Sequence, residues 1–148
     1  MSFHQLHYHV VFSTKFRLPA IIEEYERDIY KLIFKLFVAK GGFVRRIGGM
    51  PDHVHILVDL PAKDSVSDIL KFVKANSSQT IKNDRLLPSW AGWQEGYGAF
   101  TVSYELIEQK KNYIINQKEH HCKVTFLEEY RQMLIDEGIS PDEPFFPK

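Results

Sequence analysis

His53 and His55 stand two residues apart in the run His53-Val-His-Ile-Leu-Val-Asp-Leu60, which is β-branched and apolar enough to read as a strand. Side chains alternate along a strand, so both imidazoles leave one face and can reach one metal ion. Val54 and Ile56 take the other face. A second pair, His7-Tyr-His9, has the same spacing and no evident task. Tyr113 and Gln117 are four apart in a helical stretch and therefore lie one above the other. Lys110 falls one turn before that pair and His121 one turn after it, beside the apolar Leu106, Ile107 and Ile114. By residue type alone Tyr113 reads as a packing residue and Gln117 as a solvated one, while the His pair reads either as a metal site or as two strand histidines that meet by chance.

The elements that would position these residues follow from periodicity. Residues 3–14 read as a strand, and residues 20–40 place Ile21, Ile22, Tyr25, Ile29, Leu32, Ile33, Leu36 and Phe37 on one helical face, ended by Gly41-Gly42. Residues 43–49 and 53–60 read as a hairpin turned by Met50-Pro-Asp52. Ser65 caps a helix running towards Lys82. Residues 86–98 read as a loop, 99–102 as a strand, 103–121 as one helix begun by Ser103, and 125–136 as a last amphipathic helix stopped by Gly138. The order β-α-β-β-α-β predicts an α+β, ferredoxin-like (split βαβ) antiparallel sheet with helices on one face, plus a C-terminal helix carrying Tyr113. The sheet's other face is expected to be open and to hold the His pair. Residues 1–137 read as one domain and 138–148 as a tail, Pro-rich and extended from Pro141 to Lys148.

Bulk composition narrows the class. A chain of 148 residues with one cysteine, Cys122, has no internal disulfide framework. No basic leader with an apolar run opens it, and no stretch is apolar for long enough to span a bilayer, so a cytoplasmic protein with no membrane partner is expected. Nineteen bases balance nineteen acids. The balance is uneven: residues 124–148 hold two bases against six acids, which leaves the first 123 residues at +4. No Gly-x-x-x-x-Gly-Lys run exists, so no nucleotide cofactor is expected.

Four blocks then resemble one family in order and spacing: His9-Val-Val-Phe-Ser-Thr-Lys-Phe-Arg17, Met50-Pro-Asp-His-Val-His-Ile-Leu-Val58, Trp93-Gln-Glu-Gly-Tyr-Gly-Ala-Phe-Thr-Val-Ser103 and Tyr113-Ile-Ile-Asn-Gln-Lys-Glu-His-His121. They look like the insertion-sequence-two-hundred-like family of single-tyrosine transposases, whose His-hydrophobic-His motif is matched by His53-Val54-His55. The resemblance covers about residues 3–137. It implies Tyr113 as the catalytic nucleophile, with His53, His55 and Gln117 holding Mg²⁺ or Mn²⁺. It also implies single-stranded DNA with hairpin ends as the partner, cleaved and rejoined through a 5′-phosphotyrosine, and a homodimer in which the tyrosine helix serves its own or the other subunit's His pair.

Contacts to DNA are read from residue type. Lys15, Arg17, Arg45, Arg46 and Lys110 are candidates for phosphates, as are Lys71, Lys74, Lys82 and Arg85. Trp93, with Trp90 and Tyr97, could stack on unpaired bases or anchor its loop to the core. Three other readings stay open: a non-catalytic nucleic-acid-binding module on the same sheet, a zinc protein using His53, His55 and His7 or His9, and a domesticated relative acting on palindromic repeats.

Overall fold

Alternation along two central strands divides the molecule into its core and its site. The computed structural model describes residues 1–141. In it β1 (His7–Ser13) lies between β3 (His53–Asp59) and β4 (Gly98–Thr101), and β2 (Phe43–Met50) flanks β3, giving a four-stranded sheet of order β2-β3-β1-β4. Every pairing is antiparallel. This is the α+β, ferredoxin-like arrangement that the element order predicts.

Val10, Phe12, Val54, Ile56 and Val58 point to one face and meet α1 (Glu26–Ala39) and α2 (Val66–Asn83). Ile29, Ile33 and Phe37 of α1, at successive four-residue steps, have no exposed surface, and each contributes about 1.5–3 kcal/mol by leaving water. α1 ends where Gly41 takes a φ of 82° and the Gly42 amide donates back to the Phe37 carbonyl. Ser65 accepts from the Asp68 amide and so caps α2.

The first helix is shorter than its apolar pattern. Residues 20–25 are not helical: the turn between β2 and β3 captures the Ile21 amide, which donates to Pro51 O, as it does the Thr14 amide, which donates to Asp52 O, both at 2.9 Å. These two bonds fix the hairpin turn that leads into His53. Residues 3–6 also stay outside the sheet, with Leu6 O accepting from the Leu60 amide.

The second face of the sheet is covered, not open. α3 (Ile107–Ile115), α4 (Gln117–His120) and α5 (Phe126–Asp136) lie on that side, and Leu57, Val102, Ile107 and Ile114 form a second small core there. The single helix expected over residues 103–121 is divided. It opens with a 3-10 turn at Tyr104–Leu106, Ser103 makes no side-chain cap, and Asn116 (φ −92°, ψ 15°) separates α3 from α4. Thr125 caps α5 by accepting from the Glu128 amide, and Gly138 with a φ of 77° follows its end. Beyond Pro141, the extended tail expected from the sequence lies outside the described residues. Among the described residues no helix is long and apolar enough to cross a membrane.

Candidate metal centre and its tyrosine

Register decides which residues share the second face. His9 pairs with Leu57, Val11 with His55, and Ser13 with His53, so these side chains stand together beneath α3–α5. On the neighbouring strand Gly48 is directly opposite His55. A Cβ there would stand 2.7 Å from the Ile114 carbonyl oxygen and 2.8 Å from its Cγ2. The missing side chain lets the end of α3 descend onto the sheet, which brings Tyr113 and Gln117 to the histidines. Gly48→Ala is therefore expected to cost about 1–3 kcal/mol of stability by overpacking, read as a lowered urea midpoint, and to lift α3 off the His pair. An unchanged midpoint would refute that packing account.

The polar groups converge on one carboxylate, that of Glu129 from α5. His55 Nε2 is 2.9 Å from Glu129 Oε1, His121 Nε2 3.1 Å and His53 Nε2 3.4 Å. The other oxygen, Oε2, accepts from the Tyr113 hydroxyl and from Gln117 Nε2 at 2.9 Å, with His120 Nε2 at 3.4 Å. Gln117 Oε1 faces His53 Nε2 at 3.1 Å. His53 and His55 have no exposed surface, and Gln117 and Glu129 are buried too.

Each imidazole is held from behind. His53 Nδ1 lies 2.7 Å from Asp52 Oδ1, His121 Nδ1 lies 2.6 Å from Val124 O, and His55 Nδ1 lies 2.8 Å from His9 Nε2. Phe126 stacks on His53 with centroids 4.3 Å apart. Such a rear partner is the usual companion of a metal-binding histidine, because it fixes the ring and its tautomer.

Electrostatics follow the burial. His55 is pushed down to about 4 chiefly by burial, against the pull of Glu129. His9 also falls well below the usual histidine value, by burial and then by its neighbours His55 and Lys110. His53 rises, since Asp52 and Glu129 outweigh its burial. Burial works to raise Glu129, yet the surrounding imidazoles of His121, His53 and His55 hold it well below the carboxylate range. Tyr113 is raised by burial and then by the adjacent Glu129 carboxylate, so its phenol keeps its proton.

The donor set suits a divalent cation: His53, His55, His121 and Glu129 each offer one ligand atom, all within 4.8 Å of one another. His53, His55, Gln117 and Tyr113, singled out in the sequence, are brought together within one chain. Glu129 was not singled out. Its signal is an acid on the stripe Phe126, Glu129, Tyr130, Met133, whose other members are apolar or aromatic. His7 is elsewhere: its Nδ1 is 2.7 Å from Asp59 Oδ1, where Arg45 also binds Asp59 with both guanidinium arms at 2.8 and 2.9 Å. The third imidazole of the cluster is thus His121, in place of His7 or His9.

The DNA candidates divide. Trp93 is a core residue: its indole packs edge-on to Phe12 at 4.7 Å and its N–H donates to Ser77 Oγ at 2.8 Å, on the face away from the histidines. Lys74 donates to the carbonyls of Gln94 and Gly96, holding that loop. Arg45 is occupied by Asp59. Lys15 and Arg46 are exposed, Arg17 is half-buried with a φ of 54°, and Lys110 is half-buried.

Known transposases resemble this chain in sequence and in fold. The family model described as "Transposase IS200 like" matches residues 2–117. The ISDra2 transposase TnpA of Deinococcus radiodurans is 26% identical over 124 residues, covering 78% of this chain and 86% of that protein. The transposase for insertion sequence element IS200 of Salmonella typhimurium is 34% identical over 71 residues, 48% of this chain and 47% of that protein. A crystal structure of a candidate transposase from Deinococcus radiodurans R1 superposes with a TM-score of 0.62 at 26% identity, over 78% of this chain and 93% of its own. A REP-associated tyrosine transposase bound to a REP hairpin has the same fold, with a TM-score of 0.62 at 14% identity, over 84% and 76% of the two chains. The chain belongs to the IS200-like transposase family.

Proposed function

We propose that the chain cleaves and rejoins single-stranded DNA, with Tyr113 as nucleophile and with His53, His55 and Gln117 serving a divalent cation, Mg²⁺ or Mn²⁺. The observation that carries this reading is the meeting of the Tyr113 hydroxyl, the Gln117 amide and the paired Nε2 atoms of His53 and His55 around one buried carboxylate. When bound, a divalent cation supplies Lewis-acid polarisation of the scissile phosphate. The chain's own groups do the rest. The His pair and Gln117 orient the phosphate beside Tyr113, and burial excludes water that would hydrolyse it.

Tyr113 oxygen forms a bond to phosphorus while the bond to the 3′-oxygen breaks. The proton given up by the phenol is balanced by the one the 3′-oxygen gains. The products are a 5′-phosphotyrosine and a free 3′-hydroxyl. A 3′-hydroxyl from another strand reverses the step, so rejoining needs no nucleotide.

Hairpin ends are proposed as the recognised DNA, since a protein of this fold has been solved with a REP hairpin. Lys15, Arg17, Arg46 and Lys110 are the proposed phosphate contacts. A homodimer is proposed as well. Tyr113 sits in the site of its own chain, which supports attack in cis.

The test is incubation of the full chain with labelled single-stranded DNA carrying a hairpin from its own genomic flank, with Mn²⁺. The expected result is a labelled band of protein plus DNA on a denaturing gel, absent with chelator. DNA retention without any covalent band, in metal or chelator alike, would replace this reading with that of a binding module.

A further inference from the structure

The cluster holds more ligand atoms than the His53, His55 and Gln117 set requires, and the tautomers of His53 and His121 are fixed by what stands behind them. Asp52 Oδ1 and Val124 O are acceptors only, so the Nδ1 atoms of His53 and His121 carry their protons. With Nδ1 carrying the proton toward its rear partner, Nε2 is the nitrogen of each ring that faces the cluster and can bind a cation. Both Nε2 atoms stand beside Glu129 Oε1. His121 Nε2 is buried, lies 3.1 Å from Glu129 Oε1 and has no hydrogen-bond partner. The Gln117 amide is committed, its nitrogen to Glu129 Oε2 and its oxygen to the His53 side.

A cation among these atoms turns them into ligands. The spacing fits: atoms about 2.1 Å from a shared ion stand roughly 3.0–3.4 Å apart for right-angle to tetrahedral geometry, and Glu129 Oε1 lies 2.9, 3.1 and 3.4 Å from the three Nε2 atoms.

We propose that His121 and Glu129 are two further protein ligands of the cation, so that α5 is part of the metal centre. The proposal rests on the reading of His53 and His55 as metal ligands, and it extends that reading to residues beyond 117, where the family match stops. Three imidazoles and one carboxylate, beside the Gln117 amide oxygen, favour Mn²⁺, Co²⁺ or Zn²⁺ over Mg²⁺, which prefers oxygen. Glu129 also joins the two halves of the site, with one oxygen on the cation and the other holding the Tyr113 hydroxyl. A phosphate seeking the cation therefore competes with Glu129.

Calorimetric titration of the full chain with Mn²⁺ tests this without any DNA. Glu129→Gln and His121→Ala are each expected to weaken binding at least about tenfold, and His53→Ala to abolish it. Wild-type affinity in both Glu129→Gln and His121→Ala, with loss in His53→Ala, would overturn the proposal and leave the His-pair reading standing. Wild-type affinity in His53→Ala would overturn both. A second measurement needs no variant: long-range ¹H–¹⁵N correlation of the wild-type imidazoles on adding Zn²⁺. His121 Nε2 is expected to shift together with those of His53 and His55. A shift confined to His53 and His55 would sink the role of His121 and, with it, the enlarged ligand set.

Discussion

Tyr113→Phe is expected to abolish the covalent protein–DNA band and to lower strand cleavage by about 10⁴-fold or more, the scale on which enzymes lose rate with their nucleophile, while leaving the fold and the metal affinity in place. The substitution removes one oxygen. The ring keeps its setting, edge-on to His55 at 5.7 Å and to His9 at 6.0 Å between centroids. Glu129 Oε2 loses the phenol as a donor yet keeps Gln117 Nε2 at 2.9 Å, so no buried acceptor is stranded and the stability cost stays within about 1.5 kcal/mol. Denaturing gels, a urea melt and Mn²⁺ titration read the three quantities separately. A covalent band that survives in Tyr113→Phe would show that another side chain attacks, and the role of Tyr113 would be lost even if metal dependence remained.

How far the site was legible in the sequence depended on the range of the interaction. A period of two settles which face of β3 carries His53 and His55, because the apolar Val54 and Ile56 can only go to the helices, and the core there is as the pattern requires. Pro51-Asp52 sets the hairpin, and its register then places Gly48 against His55. The four-residue step from Tyr113 to Gln117 likewise survives the break at Asn116, since both side chains still reach Glu129 Oε2.

What could not be read was tertiary. Nothing local says that α5 folds back over the sheet, and Glu129 is 74 residues from the imidazole it meets most closely. A carboxylate surrounded by apolar helix positions was the one available hint. The same limit explains Trp93. An aromatic in an irregular loop has the composition of a base-stacking residue, and only the bridge between Thr14 and Trp93 and the buried hydroxyl of Ser77 draw it into the core. The near-zero net charge is also uninformative at the site, where the buried groups are one carboxylate among imidazoles.

The complementary prediction separates the metal from the nucleophile. His55→Ala is expected to remove Mn²⁺ binding and to drop covalent-band formation to the level of chelator-treated wild type, with no further response to either metal or chelator. His55 is fully buried, and its two nitrogens touch His9 at 2.8 Å and Glu129 at 2.9 Å, so no water-borne group replaces it readily. Its loss differs in kind from that of Tyr113. Tyr113→Phe keeps the cation and loses the bond to phosphorus; His55→Ala keeps the phenol and loses the charge that draws phosphate to it. Groups that act as one unit are not additive, so Tyr113→Phe combined with His55→Ala should cleave no more slowly than the worse single variant. A double variant slower than either by the product of their effects would mean that Tyr113 and His55 act in separate steps, and the single buried centre proposed for them would have to be divided.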